Sequence, residues 1–179
     1  MKKNQKALSR RRLIFICTAA VIAALYVALT YLSMALGLDK NAIQIRFSEA
    51  LVALAYLTPA AIPGLTVGCL LANILTGCAA LDIAIGPLAT LIGALGAYFI
   101  GKLMRGKASK FICTLPNIAA NTVIVTVVCI ICYTAPEARS AALIPFYATT
   151  VAIGEIISSG VLGTLLLLAV GNSFNKITQ

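Results

Sequence analysis

The sequence predicts an all-α integral membrane protein of six transmembrane helices with both termini cytoplasmic. Three observations lead there. Of 179 residues, 61% are hydrophobic and only 11% are charged, against about 25% charged in an ordinary soluble domain. A chain this short leaves too much surface exposed to hide so much apolar area from water. Charges and Pro/Gly punctuation then cut the chain into runs close to the ~20 residues that cross a hydrocarbon core. Finally, the 14 basic residues, set against 5 acidic ones, cluster at the ends of those runs. That is how topology signals look, not a basic face for phosphates. Soluble enzyme, nucleic-acid binder and secreted disulfide scaffold are excluded together.

The expected spans are 13–36, 44–60, 62–80, 83–103, 111–134 and 143–170. The first follows the basic stretch Lys2 to Arg12 and is too long for a signal-peptide core of about 7–15 residues. Between Arg46 and Asp82 the only charge is Glu49. The division into second and third spans therefore rests on Thr58-Pro59-Ala60-Ala61-Ile62-Pro63-Gly64, whose prolines interrupt a helix and favour a tight break. Asp82 opens the fourth span, Lys102 to Lys110 separates it from the fifth, and Arg139 lies before the sixth. An even number of spans puts both termini on one side. With that side inside, eleven basic residues face the cytoplasm and three (Lys40, Arg46 and Arg139) face out, as the positive-inside rule requires. A five-span chain is the alternative. The organisation read from this is a basic cytoplasmic tail at 1–12, a six-helix domain at 13–170 and a cytoplasmic tail at 171–179.

Ionisable and amide side chains within spans are costly and are candidate functional groups by default. The acids are Glu49, Asp82 and Glu155; the amides are Asn73, Asn117 and Asn121. Glu155 lies about twelve residues into the sixth span, ~18 Å at 1.5 Å per residue. Asn121 is similarly central, with Asn117 one turn away on the same face. Glu49, Asp82 and Asn73 fall in the outer half, and the inner half is almost wholly apolar. The profile is that of a pocket open outward and closed beneath. Each group also has a structural reading: Asp82 as a helix N-cap, Glu49 as the ion-pair partner of Arg46, and the asparagines as interhelical hydrogen bonds. A donor-rich planar ligand would suit acids and amides, with Phe47, Tyr56, Phe146 and Tyr147 available for stacking. Ala20, Ala24 and Ala28 form a small-residue stripe on the first helix, either a packing seam or a docking face; Gly93, Ala97 and Gly101 form another on the fourth.

Other motifs carry less. Gly96 to Lys102 and Gly101 to Lys107 match GxxxxGK, but Leu103 and Ala108 stand where a P-loop needs Ser or Thr, and no strand precedes either. Cys129 and Cys132 make a lone CxxC in a chain with no histidine, so no metal and no cofactor is expected. The six cysteines read as small packing residues.

The segments QIRFSEALVALAYLTPAAIPGLTVGCLLANIL (44–75) and LDIAIGPLATLIGAL (81–95), with the late Gly154-Glu155, resemble the queuosine-precursor transporter family. Its members are S components of energy-coupling factor (ECF) transporters, and the likeness runs from about residue 15 to 170. The resemblance implies an ECF S-component-like bundle in a bacterial cell membrane. It further implies a small-molecule substrate of the 7-deazaguanine or queuine class, captured from outside, whose guanine-like edge suits the acids and amides above; the candidate binding residues are Glu155, Asn73, Asn121, Asp82, Glu49, Arg46 and Tyr147. The implied partners are a transmembrane coupling protein, meeting Ala20, Ala24 and Ala28, and two ABC ATPases. The implied lid is the loop from Gly37 to Gln44. Such a subunit is not an enzyme. The alternatives are an S component for another vitamin or nucleobase, a stand-alone proton-coupled carrier using Glu155, and a purely structural membrane subunit.

Overall fold

Helix follows helix along the whole computed structural model, which describes residues 2–38, 43–104, 106 and 108–178 and holds no strand among them. Helix α1 (Lys2–Ala35) is a single rod of 34 residues, so the basic stretch expected as a tail continues the first span as helix. The side chains of Lys2, Lys3, Lys6 and Lys176 lie outside the described residues, as do Arg105, Lys107 and the loop residues 39–42 with Lys40. Then come α2 (Ala61–Leu75), α3 (Ala80–Leu103), the one-turn α4 (Ser109–Ile112), α5 (Leu115–Cys132), α6 (Leu143–Glu155) and α7 (Gly163–Thr178). Four helical stretches are long and apolar enough to cross a membrane: Leu8–Ala35, Ala80–Leu103, Ser109–Cys132 and Leu143–Gly171.

The second and third expected spans come out shorter. In place of 44–60 stands a 3-10 helix, Phe47–Tyr56, and in place of 62–80 stands α2. Ten residues at ~2.0 Å each and fifteen at ~1.5 Å both reach about 20 Å, short of a ~30 Å hydrocarbon core. Ser48 through Ala55 are all buried in this 3-10 helix. It runs through the interior of the bundle, and Ala50, Ala53 and Ala55 keep it thin enough to do so. The break between the two falls at Leu57–Ala60, as the prolines require, with Pro63 in the first turn of α2, where no intrahelical N–H is needed.

The apolar core gathers Leu51, Val52 and Ala55 of the 3-10 helix with Leu65 of α2, Ala94 of α3 and Leu167 of α7. Helices α1 and α2 meet through Gly64 and Gly68. A Cβ on Gly64 would lie 2.6 Å from the Ala19 carbonyl oxygen, and one on Gly68 would lie 2.8 Å from Cβ of Tyr26. The seam is thus the Ala19 and Ala23 face of α1. Ala20, Ala24 and Ala28 stay exposed, with Ala20 at the edge of the seam beside Pro63, Gly64 and Val67. On α3, by contrast, Ala97 is fully buried, Gly93 lies against Asn117 and Gly101 against Tyr56, so that stripe is internal packing.

Replacing Gly64 by Val should destabilise the fold by about 1–3 kcal/mol, the cost of overpacking a closed contact. Ala24→Val should change stability by less than ~0.5 kcal/mol. Thermal unfolding in detergent compares the two; equal losses would place the seam elsewhere.

Candidate functional site

Five helical segments bring polar side chains to one buried cluster. The centre is Asn117, one turn into α5 and fully buried. Its amide N–H₂ donates to Glu49 Oε2 (3.0 Å), to Glu155 Oε2 (3.2 Å) and to Ser159 Oγ (3.3 Å). Asn121, the next residue along that face, donates to the same Glu49 oxygen at 3.3 Å. The other Glu49 oxygen accepts the hydroxyl of Tyr26 from α1. Glu49 therefore has donors on both oxygens, and hydrogen bonds to a charged group stabilise by about 1.5–3 kcal/mol each. Asn117 Oδ1, in turn, is buried with no partner and lies over Gly93. The donors are turned to the two acids because charged acceptors bind them more strongly than the amide oxygen needs a donor.

Glu155 is less served. It closes α6, and the chain continues as a π-helix, Ile156–Leu162, before α7 begins. The i→i+5 turn is rare and recurs at functional sites. Here it brings Ser158 and Ser159 to buried positions beside the cluster. Glu49 and Glu155 are joined through one amide, close enough to repel by on the order of 3 kcal/mol at an effective dielectric constant near 20. Beside them lies a cavity of about 30 Å³ lined by Gln44, Arg46, Glu49, Asn121, Val125, Val151 and Glu155. That is room for a water molecule or two.

Several expected pairings are redrawn. Arg46 faces Asp82 (Nη2 to Oδ2, 3.8 Å) and not Glu49. Asp82 is no N-cap: Ala79 holds that position, and Asp82 sits in the first turn of α3, where an acid suits the helix dipole. Asn73 donates to the Asp82 backbone carbonyl at 3.1 Å and sits apart from Glu155. Asn73 and Asn121 each spend one amide proton in this way and keep a second, and Asn121 also lines the cavity. Tyr147 is bound to Thr134 (3.1 Å) near the start of α6, two turns from Glu155. Tyr56 is bound to Ser109 (2.7 Å) at another end of the bundle, and Phe146 is exposed. Among the described residues no aromatic side chain lines the cavity. Glu49, placed by sequence in the outer half at the start of the second span, shares the Asn117 amide with Glu155, because the 3-10 helix starts inside the bundle. The residues that sequence reasoning passed over are Tyr26, Gln44 and Ser158. A lone tyrosine on an apolar helix and a serine in a π-turn leave no signal in the residue pattern.

The chain matches the QueT transporter family over residues 16–172 and belongs to that family. No curated protein and no solved structure matches it. The family is one of transporters, and the long apolar helices are those of a membrane protein.

Tyr26→Phe deletes the donor to one buried Glu49 oxygen without changing shape. The expected loss is about 1–3 kcal/mol of stability, the cost of leaving a buried acceptor unmet. A thermal shift measured in detergent reports it; an unchanged midpoint would mean that Glu49 draws on another donor.

Proposed function

We propose that this member of the QueT transporter family is the substrate-binding S component of an ECF importer, capturing a 7-deazaguanine or queuine-like queuosine precursor for ATP-driven uptake. The observation that carries the reading is the buried cluster of Glu49, Asn117, Asn121 and Glu155 beside a polar cavity, with the apolar core of the bundle next to it. A purely structural subunit has no use for two buried acids joined through one amide. In this reading the four long helices span a bacterial cell membrane, and the shorter 3-10 helix and α2 serve as the second and third of the six expected segments, with both termini cytoplasmic. Residues 1–12 and 171–179 are the cytoplasmic ends and 13–170 the substrate-binding domain.

Glu155 takes the N1–H and exocyclic amine of the ligand's guanine-like edge. Its Oε2 shares Asn117 with Glu49, and the carboxylate faces the cavity, so it has acceptor capacity to give. Arg46, the cation at the cavity wall, and the remaining amide proton of Asn121 are the donors at hand for the ring carbonyl, the role that sequence gives to Asn73 or Asn121. Asp82 holds Arg46 there. A bicyclic base needs more room than the cavity offers, so capture parts the walls, and the loop before Gln44 acts as the lid. Partner docking falls to the exposed stripe Ala20, Ala24 and Ala28, because small side chains let a second membrane helix approach closely. The coupling protein and two ABC ATPases supply the energy.

One feature favours a second reading, a stand-alone proton-coupled carrier: two buried carboxylates joined by one amide form a natural proton site. Concentrative uptake by this chain alone in liposomes under a pH gradient would favour it. Uptake that requires the ATPase module and ATP favours the S component, which is the expected result.

Glu155→Gln should keep the fold and weaken binding of a 7-deazaguanine precursor by about 1.5–3 kcal/mol, roughly ten- to hundred-fold. Isothermal titration of the purified protein measures this, and unchanged affinity would make Glu155 structural. Ala24→Trp should abolish co-purification with the coupling protein and ATPases while leaving ligand affinity alone. Retained assembly would move the docking face off this stripe.

A further inference from the structure

Gln44 ends the loop before the 3-10 helix and lines the cavity beside Glu155. It belongs to a strap whose backbone is fastened at four consecutive residues. The Ile45 N–H donates to the Leu38 carbonyl at 3.1 Å, that of Arg46 to Ser158 Oγ at 3.1 Å and that of Phe47 to Ser33 Oγ at 2.9 Å. Gln44 itself is seated by contact. Its carbonyl rests on Gly154, where any Cβ would overlap the carbonyl oxygen. The obstacle would be backbone, so no side-chain rotation could relieve it.

That seat fixes Gln44 close to Glu155, since Gly154 is the residue before it in α6. The polar neighbours along the wall are already engaged. Asn121 gives one proton to Glu49, and Arg46 pairs with Asp82. The half-buried Gln44 side chain, by contrast, has no hydrogen-bond partner among the described residues. Its amide keeps two donors and an acceptor to offer.

In the transporter reading above, on which this inference rests, Glu155 takes the N1–H and one proton of the exocyclic amine of a guanine-like ring. The amine has a second proton, and the ring nitrogen N3 beside it is an acceptor. A donor next to an acceptor is the pattern that a carboxamide matches, with its oxygen on one and its N–H on the other. A second carboxylate in that place would set its lone pairs against that of N3. We propose that Gln44 is a specificity residue reading this amine-and-N3 edge, and that Gly154 is the positioning residue that seats it.

The test is isothermal titration of the purified full chain with 7-deazaguanine and with 7-deazahypoxanthine, which lacks the exocyclic amine. Gln44→Met keeps the bulk and removes the amide. It should weaken 7-deazaguanine about three- to tenfold, the range for a neutral hydrogen bond, and 7-deazahypoxanthine by a smaller factor. Gly154→Ala should weaken 7-deazaguanine to a similar extent. In the Gln44→Met background it should cost less than about twofold more, because its effect passes through Gln44. Unchanged 7-deazaguanine affinity in Gln44→Met, or equal losses for the two bases, overturns the specificity role. A Gly154→Ala loss of the same size in both backgrounds overturns the seat. No 7-deazaguanine binding by the unaltered chain overturns the substrate reading and this inference with it. The Gln44→Met comparison decides the specificity role even if Gly154→Ala fails to fold.

Discussion

A carboxylate removed from water must find donors, and in this protein two carboxylates must find them at one place. Asn117 answers both with a single amide group. Much of the architecture serves that arrangement. Gly93 gives the asparagine room against α3, α1 sends Tyr26 to the far oxygen of Glu49, and α5 places Asn121 one turn on as a second donor. The 3-10 helix exists within the same constraint: it carries Glu49 inside the bundle, where a thicker helix would crowd its neighbours. The π-turn after Glu155 then brings Ser159 within reach of Asn117.

The same arithmetic separates the roles of the two acids. Glu49 takes three donors of the roughly four a carboxylate can accept, which fixes its position and makes it the frame of the cluster. Glu155 shares one donor and borders open space, which leaves it the acceptor capacity that the proposed ligand contact requires. Arg46 is a third kind of group: its backbone is anchored by Ser158, whereas its charge is held only at a distance. One framework residue, one acceptor with capacity to spare and one cation anchored through its backbone make up the cluster.

How much of this was legible beforehand follows from what each signal measures. Composition and run length reveal solvent preference, so the membrane class, the helical architecture and the break at Pro59 and Pro63 were readable. Polar residues in apolar runs are conspicuous, so Glu49, Asp82, Glu155 and the asparagines were all in view, as was the resemblance to the transporter family. Pairing was not readable. Proximity along the chain offered Glu49 to Arg46, three residues away, whereas packing of the 3-10 helix against α3 gave Arg46 to Asp82. Nor was helix type: FSEALVALAY fits an α-helix by composition, and only confinement within the bundle makes it narrow. Tyr147 and Phe146 looked suited to stacking because they share a segment with Glu155, but the rise of α6 carries them away from it.

Helix α1 has a mechanical property that follows from where it is gripped. At 34 residues it is a rod of about 50 Å, crossed tightly near its middle by the two glycines of α2. Beyond that crossing its C-terminal half is held again, by Thr30 on Ser48, by Tyr31 on the Leu75 carbonyl and by Ser33 on the Phe47 N–H. The N-terminal half is then a lever on a clamped base, and points beside the crossing scarcely move. Tyr26 is such a point, since its Cβ is what Gly68 touches. The basic end of the rod can therefore swing through several ångströms while the tyrosine hydroxyl stays on Glu49, leaving the ligand-facing chemistry undisturbed at the fulcrum of the motion.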